Sequence, residues 1–420
     1  MQTRNLALAF AGAALVAGTV AACSATNGNN TFTNATGSGG AGSSGAGGEG
    51  GLGFATGAGV GGGILGQAPP CEGKDPNKDN DGDGWTGANG DCNDCTDQIS
   101  PGAQDYTGNN IDEDCDGNAD NNPTGCDGNI DVASNDPIAA AKAFGICKMS
   151  KNNGWGLLSA KYVTSDGQPL DDFQFDPEGL GHGILDGFGP KVNPQEGSKL
   201  LALSSGTARQ PTDPGYESVD GYDKGYSNNA PPGYPKESPS CPNVITGEPH
   251  DSAGLLINVR APTNAKSLKF NLNFYTYEFP NFVCSTFNDF FVAILDPHPQ
   301  GQPDGNISFD SQGNLISVNA GFLQVCTPQM AGGKNFDCPL GHDQLLGTGF
   351  DESFGLPSDN SAATGWLQTT SPIAPGSDIQ LLFAVWDSGD GVLDSTVLLD
   401  NFSFDVTGAD TVTTPIGVPK

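Results

Sequence analysis

"KSLKFNLNFYTYEF" spans residues 266–279 and decides the fold. Leu268, Phe270, Leu272 and Phe274 fall on one face, with Lys269, Asn271 and Asn273 on the other. A period of two is the signature of a half-buried antiparallel strand. The same pattern recurs downstream. "FFVAIL" (290–295) is a short buried run, and "DIQLLFAVWD" (378–387) alternates Ile379, Leu381, Phe383 and Val385. "STVLLDNFSFDV" (395–406) alternates Val397 and Leu399, then Phe402 and Phe404 after a shift near Asn401. Gly, Pro and Asp clusters separate these runs. The pattern predicts a mainly β protein, with a large antiparallel β-sandwich over 127–408 that is jelly-roll-like and of open strand order. The clearest helical stretch is "PIAAAKAFGICK" (137–148), with Pro137 in the first turn, Asn135 or Asp136 as cap and Gly145 limiting its length.

The chain has 420 residues, 49 acidic against 17 basic, and a formal net charge of −32. A phosphate backbone would be repelled, so nucleic acid is excluded as a partner, and an anionic membrane surface is unfavourable. Part of the charge suits a well-solvated surface. Acidic loops that hold divalent cations would neutralise another part. With 62 Gly and 30 Pro, loops, turns and short strands are favoured over long helices. The four histidines, His182, His250, His298 and His342, lie near Gly, Pro or Asp and read as loop residues. No GxSxG elbow and no HExxH helix motif occurs, so no enzyme is expected. A carboxylate pair for glycoside hydrolysis does not stand out among so many acids.

The N-terminus reads as an export signal. Arg4 precedes the apolar run "LALAFAGAALVAGTV", which is of signal-peptide length and ends in "VAACS". Small residues before Cys23 resemble the bacterial lipobox, with Val20 where Leu is more usual. That resemblance implies a signal peptide over 1–22 and lipid on Cys23. Residues 23–70 form a Gly/Ser-rich stretch expected to be a disordered tether, spanning roughly 35–40 Å root-mean-square. The expected location is the outer membrane or cell surface of a bacterium, with membrane contact through the lipid anchor only. Residues 409–420 read as a C-terminal tail. Setting Cys23 aside leaves ten of the eleven cysteines, an even number, and export favours disulfides. Cys92 with Cys115, Cys126 with Cys147, and Cys326 with Cys338 are the local pairings, although spacing alone leaves connectivity open.

Residues 71–126 change character. Trp85, Ile99, Tyr106 and Ile111 are about all this segment has to bury, too little to order it alone. Metal and disulfides are the available supports. In "DNDGDGWTGANGDCNDC" (79–95), Asp79, Asp81 and Asp83 alternate before Gly84. This is the first half of an EF-hand-type loop, in which alternate side chains turn inward on one cation. Trp85 would offer its carbonyl and cap the site with its ring. The twelfth loop position is Gly90 rather than Glu, and Asp91 and Asp94 would supply the missing oxygens. A second copy, "NNIDEDCDGNADNN" (109–122), places Asp112, Asp114 and Asp116 before Gly117, followed by Asn118 and Asp120. Oxygen donors select a hard cation, and six or more oxygens favour calcium as the cofactor. A zinc or redox reading of "CNDC" ranks second, since no matching CxxC exists. In "WDSGDGVLDS" (386–395), Asp387, Asp390 and Asp394 form a further possible cation set, weighed slightly below an ordinary turn. Glu278, Asn288 and Asp289 flank the aromatic strand and "FNDFF"; they could line a ligand or metal site, and strand-end capping is the preferred reading.

The stretch 79–120, with DxDxDGW, GDCND, the Pro101–Ala103 turn and "GNNIDEDCDG", resembles the MopE-type metal-binding motif of bacterial surface proteins. The resemblance implies Asp79, Asp81, Asp83, Asp112, Asp114 and Asp116 as ligands and Cys92 and Cys115 as a staple; Cys95 is extra to that pattern, with Cys71 as a candidate partner. "AAAKAFGIC", "WGLLSAKYV", "GSKLLALSSGTAR" and "LKFNLNFYTYEFPNFVCSTFNDFFVAIL" are similar to the choice-of-anchor L domain of bacterial surface and secreted proteins, and "GYDKGYSNNAPPGYPKESPSCPN" (221–243) looks like an inserted loop. That family implies no reaction. The expected protein is a surface-anchored, calcium-binding lipoprotein whose sandwich binds an unknown extracellular protein or glycan. The alternatives are a carbohydrate-active hydrolase and a purely structural envelope protein.

Overall fold

A computed structural model describes residues 73–170, 180–351 and 361–417. The signal segment, Cys23, the tether and Cys71 lie outside them. The chain order is α1 (Pro137–Ala143), β1 (Gly156–Val163), β2 (His182–Leu185), β3 (Leu200–Ser204), β4 (Pro249–Arg260), β5 (Ser267–Thr276), β6 (Phe290–Asp296) and β7 (Ile316–Ser317). There follow β8 (Gln329–Ala331), β9 (Lys334–Phe336), β10 (Ala362–Ala363), β11 (Leu367–Pro372), β12 (Asp378–Ser388), β13 (Ser395–Asp405) and β14 (Val412–Pro415). One sheet runs β1-β4-β12-β6-β7, the other β14-β11-β5-β13-β3-β2 with β10 beside β5, and all the ladders within these two sheets are antiparallel. This is a β-sandwich, the expected fold class.

The core is set by alternation. Phe270, Leu272 and Phe274 of β5 meet Phe383 and Val385 of β12, Leu255, Ile257 and Val259 of β4, and Val397 and Leu399 of β13 between the sheets. Helix α1 is capped by the Asp136 carboxylate, which accepts from Ile138 N, and it stops at Phe144 and Gly145. Phe144 then bridges the two sheets. Its ring lies 4.9 Å from Phe383 and 5.8 Å from Phe270, edge to face. Gly145 has φ +110°, and a Cβ there would meet Phe402 N at 3.0 Å, so glycine is required where the chain leaves the helix.

Four features go beyond the sequence reading. First, β5 is not half-exposed. Asn271 and Asn273 are buried, with Asn273 Nδ2 bonded to the Tyr275 hydroxyl at 3.2 Å. Loops around Phe188, Val325, Leu345 and Phe350 cover that outer face. Second, the 221–243 loop lies on the opposite outer face, where Tyr234 packs edge-on against Phe290 and Trp386. Third, Val412–Pro415, within the segment read as a tail, is an edge strand on β11, held in part by Thr413 Oγ1 and Thr369 Oγ1 at 2.8 Å. Its polar sequence carries no alternating apolar signal. Fourth, His182 and His250 stand in β2 and β4 rather than in loops. The shift near Asn401 is a bulge, with register broken between Asp400 and Ser403 and Asn401 at φ +56°.

His182 is buried, stacked on Tyr162 at 3.7 Å between ring centroids, with Nε2 3.0 Å from Asn135 Oδ1. Burial, with help from the Arg209 and Lys224 charges, holds its pKa down to about 3. The folded state therefore binds fewer protons than the unfolded chain between about 6.5 and about 3. The stability contributed is present above that window and is lost as pH falls through it. An NMR titration should find the His182 ring neutral at pH 5; a ring that charges near 6.5 contradicts this burial. Separately, Phe144→Ala should cost about 3–5 kcal/mol. A urea midpoint close to that of the parent would show that the bridge between the sheets is not needed.

Candidate metal centre

The acidic module rests on the turn between β4 and β5. Thr263 N donates to Gly102 O at 2.9 Å, and Asn264 Nδ2 donates to the Gln98 and Gln104 carbonyls at 3.3 and 2.8 Å. Gln104 Nε2 reaches Phe404 O at 3.1 Å. Ile99 and Ala103 are the buried apolar residues of this segment, while Trp85, Tyr106 and Ile111 are only partly covered. Disulfides compensate. Cys92–Cys115 staples the two acidic loops, and Cys126–Cys147 ties the segment to the end of α1. Cys326–Cys338 and Cys241–Cys284 close loops of the sandwich, the last joining the inserted loop to the turn after β5. Cys95 is also disulfide-bonded.

The first loop wraps its backbone around its own carboxylates. Asp79 accepts from Gly82 N at 2.6 Å and Gly84 N at 3.0 Å, and Asp83 Oδ1 accepts from Trp85 N at 2.9 Å. Asp91 Oδ1 accepts from Asn93 N at 2.8 Å, and Asp94 Oδ1 from Asn80 N at 2.7 Å. One carboxylate oxygen from each of Asp79, Asp81 and Asp83 gathers within 4.8 Å, as does one from each of Asp81, Asp91 and Asp94. Asp81 thus belongs to both sets. The second oxygens of Asp81, Asp83 and Asp91 are buried and receive no hydrogen bond. A buried carboxylate oxygen without a donor is costly unless a cation or a proton meets it. Burial raises the Asp81 and Asp83 pKa values and lifts Asp91 to about 6. Asp94 moves the other way, held down by the Asn80 backbone N–H.

The second loop is differently satisfied. Asp112, Asp114 and Asp105 bring one oxygen each within 4.8 Å of one another. Asp105, which sequence reading passed over, accepts from Glu113 N, Asp114 N and Asn121 N at 2.9–3.2 Å. It stands ahead of the alternating Asp112, Asp114 and Asp116, so that pattern does not mark it. Asp112 accepts from Asp116 N and Gly117 N at 3.1 and 2.9 Å. Asp114 is ion-paired to Lys148 at 3.1 Å. Asp116 turns to Asn118 N and Asn121 Nδ2, and Asp120 accepts from Gly108, Asn109 and Asn110 N. The two copies therefore share a spacing but not a state. The first leaves bare oxygens, whereas the second spends them on backbone N–H groups and a lysine.

Trp85 lies over Gly102, where a Cβ would sit 2.5 Å from its indole Nε1. It lines a polar groove of about 840 Å³ with Asp83, Asn152, Asn153, Arg260 and Asp378. Arg260 grips Asp378 through two bonds of 2.7 and 3.0 Å. In the last set of acids, Asp387 and Asp394 are buried and Asp390 is exposed.

Residues 203–405 match the model of the Choice-of-anchor L domain. The matched range runs from β3 to β13, so α1, β1 and β2 extend the same sandwich ahead of it. No curated protein and no solved structure matches the chain. Among the described residues no helix is long and apolar enough to cross a membrane. The match at 203–405 suggests a surface-related protein.

Proposed function

We propose that this is a lipid-anchored surface protein of a bacterium in which calcium holds the acidic module in place beside a sandwich that binds an extracellular ligand. The observation that carries the metal reading is the pair of carboxylate sets that share Asp81, one with Asp79 and Asp83 and one with Asp91 and Asp94, together with the buried second oxygens of Asp81, Asp83 and Asp91 that lack a hydrogen bond. Carboxylate oxygens in that number suit a hard cation, and calcium tolerates their irregular geometry better than magnesium does. The resemblance of 79–120 to the MopE-type motif supports the same assignment. The role is stabilisation: the module buries little apolar surface, and metal binding is linked to its folding.

The ligand's place in this reading is the groove beside the loop. Trp85 offers a ring face, and Asn152, Asn153 and Arg260 offer donors, a mixture suited to a glycan. Metal on Asp83 would fix the backbone that carries Trp85. No step of catalysis is part of this reading.

Calcium at about a hundred times its Kd should stabilise the protein by about 2.7 kcal/mol. EDTA should therefore lower the thermal midpoint by a few degrees and expose 73–126 to protease. Asp81→Asn/Asp83→Asn should erase most of that response; a midpoint indifferent to EDTA defeats the calcium assignment. For the groove, a glycan array probed with the parent and with Trp85→Ala should show binding that the variant loses. Equal signals from both proteins would move the ligand elsewhere.

A further inference from the structure

The two acidic loops repeat one pattern of hydrogen bonds and depart from it at two atoms. Asp79 and Asp112 each accept backbone N–H groups on both oxygens, one of them from Gly84 N at 3.0 Å and from Gly117 N at 2.9 Å respectively. Asp81 Oδ1 accepts from Asp83 N at 3.3 Å, and Asp114 Oδ1 from Asp116 N at 3.3 Å. Asp83 Oδ1 accepts from Trp85 N at 2.9 Å, and Asp116 Oδ1 from Asn118 N at 2.8 Å. The remaining oxygens differ. Asp81 Oδ2 and Asp83 Oδ2 are buried without a hydrogen bond. Asp114 Oδ2 instead receives Lys148 Nζ at 3.1 Å, and Asp116 Oδ2 receives Asn121 Nδ2 at 2.9 Å.

The ammonium therefore meets the oxygen whose counterpart in the first loop is bare. Lys148 is held there from behind. Its neighbour Cys147 is bonded to Cys126, and Leu157 N donates to Lys148 O at 2.8 Å. Its Nζ lies 4.6 Å from the centroid of the Trp155 ring, which stands edge-on to Phe404 of β13. The Asp114 side chain is 9% exposed, so this pair is not a solvent-screened surface contact of little worth. Among the described residues no ion pair reaches Asp81 or Asp83. The MopE-type resemblance implies Asp112, Asp114 and Asp116 as metal ligands, and the residues present do not fit that role. Both oxygens of Asp116 are bonded, and Asp105 takes its place beside Asp112 and Asp114. Asp105 is itself wrapped by the N–H groups of Glu113, Asp114 and Asn121.

We propose that the Lys148 ammonium is the resident cation of the second loop: it keeps calcium out of this copy and rivets the acidic module to the sandwich through Asp114 and Trp155. One repeat of the motif is left open to a metal, and the other is closed by the chain's own charge. The proposal does not rest on calcium in the first loop.

The test uses the full chain carrying Asp81→Asn and Asp83→Asn, with calcium alone as probe, read by calorimetry and metal analysis. In that chain Asp114→Asn should leave the calcium count unchanged. Lys148→Met should raise the count by one, Asp114→Asn should then remove the gain, and Lys148→Arg should give none. A count that falls with Asp114→Asn while Lys148 is present overturns the proposal, because the second loop then holds metal despite the lysine. Failure of Lys148→Met to add a calcium overturns it as well. For the rivet, Asp114→Asn alone, with the lysine kept, should lower the metal-free thermal midpoint and speed proteolysis of 73–126; no change in either contradicts it. These differences are read with the first loop disabled, so they are separate from the EDTA response of the parent.

Discussion

A carboxylate removed from water must be met by hydrogen bonds, by a proton or by a cation, and this chain has 49 acids to bury or expose against 17 basic residues. Lysine and arginine cannot answer more than a fraction of them. The structure uses several answers side by side. Exposed acids stay in water. Asp105 and Asp120 are wrapped by backbone N–H groups, and Asp114 takes Lys148. Among the described residues, what is left without a hydrogen bond lies in the Asp79–Asp94 loop and, in the sandwich, on Asp289, Asp387 and Asp394.

The two places fail to be self-sufficient for different reasons. The loop is held by few apolar contacts, so its carboxylates have only the local backbone to bond, and each turn supplies fewer N–H groups than there are oxygens. At the sandwich end, Ser388 N and Asp289 N are given to Asp289 Oδ1 and Glu278 Oε2, and Asp289 Oδ2 is left without a hydrogen bond. Such a polar end to a hydrophobic interior is costly while its oxygens stay unmet. Phe144 closes another part of the same core by apolar means, with its ring against Phe383 and Phe270.

Much of this was legible in the chain. Alternation in 266–279 and 378–387 gave the strands because a pleated strand puts every second side chain on one face, whatever its partners. Asp136–Pro137 and Gly145 marked the ends of α1 through local backbone chemistry. The DxDxDG spacing marked the first loop because its ligands are neighbours. The outer faces were misjudged for the opposite reason: Asn271 and Asn273 look solvent-facing until a distant loop is laid over them, and Val412–Pro415 is a strand only because β11 has a free edge.

The sequence by itself determined the β class, the helix and its caps, and the acidic loop at Asp79–Asp94, since each rests on residues within a turn or a strand of one another. Only the tertiary structure decided which acids are left without donors. Asp112 repeats the spacing of Asp79, but Asp105 and Lys148 alter the second copy from outside it. Glu278 and Asp289 read in sequence as strand-end caps, and Asp387 as a turn residue or a possible cation ligand. The register of β6 on β12 sets Asp289 beside Ser388, and burial there leaves Asp289 Oδ2 without a hydrogen bond.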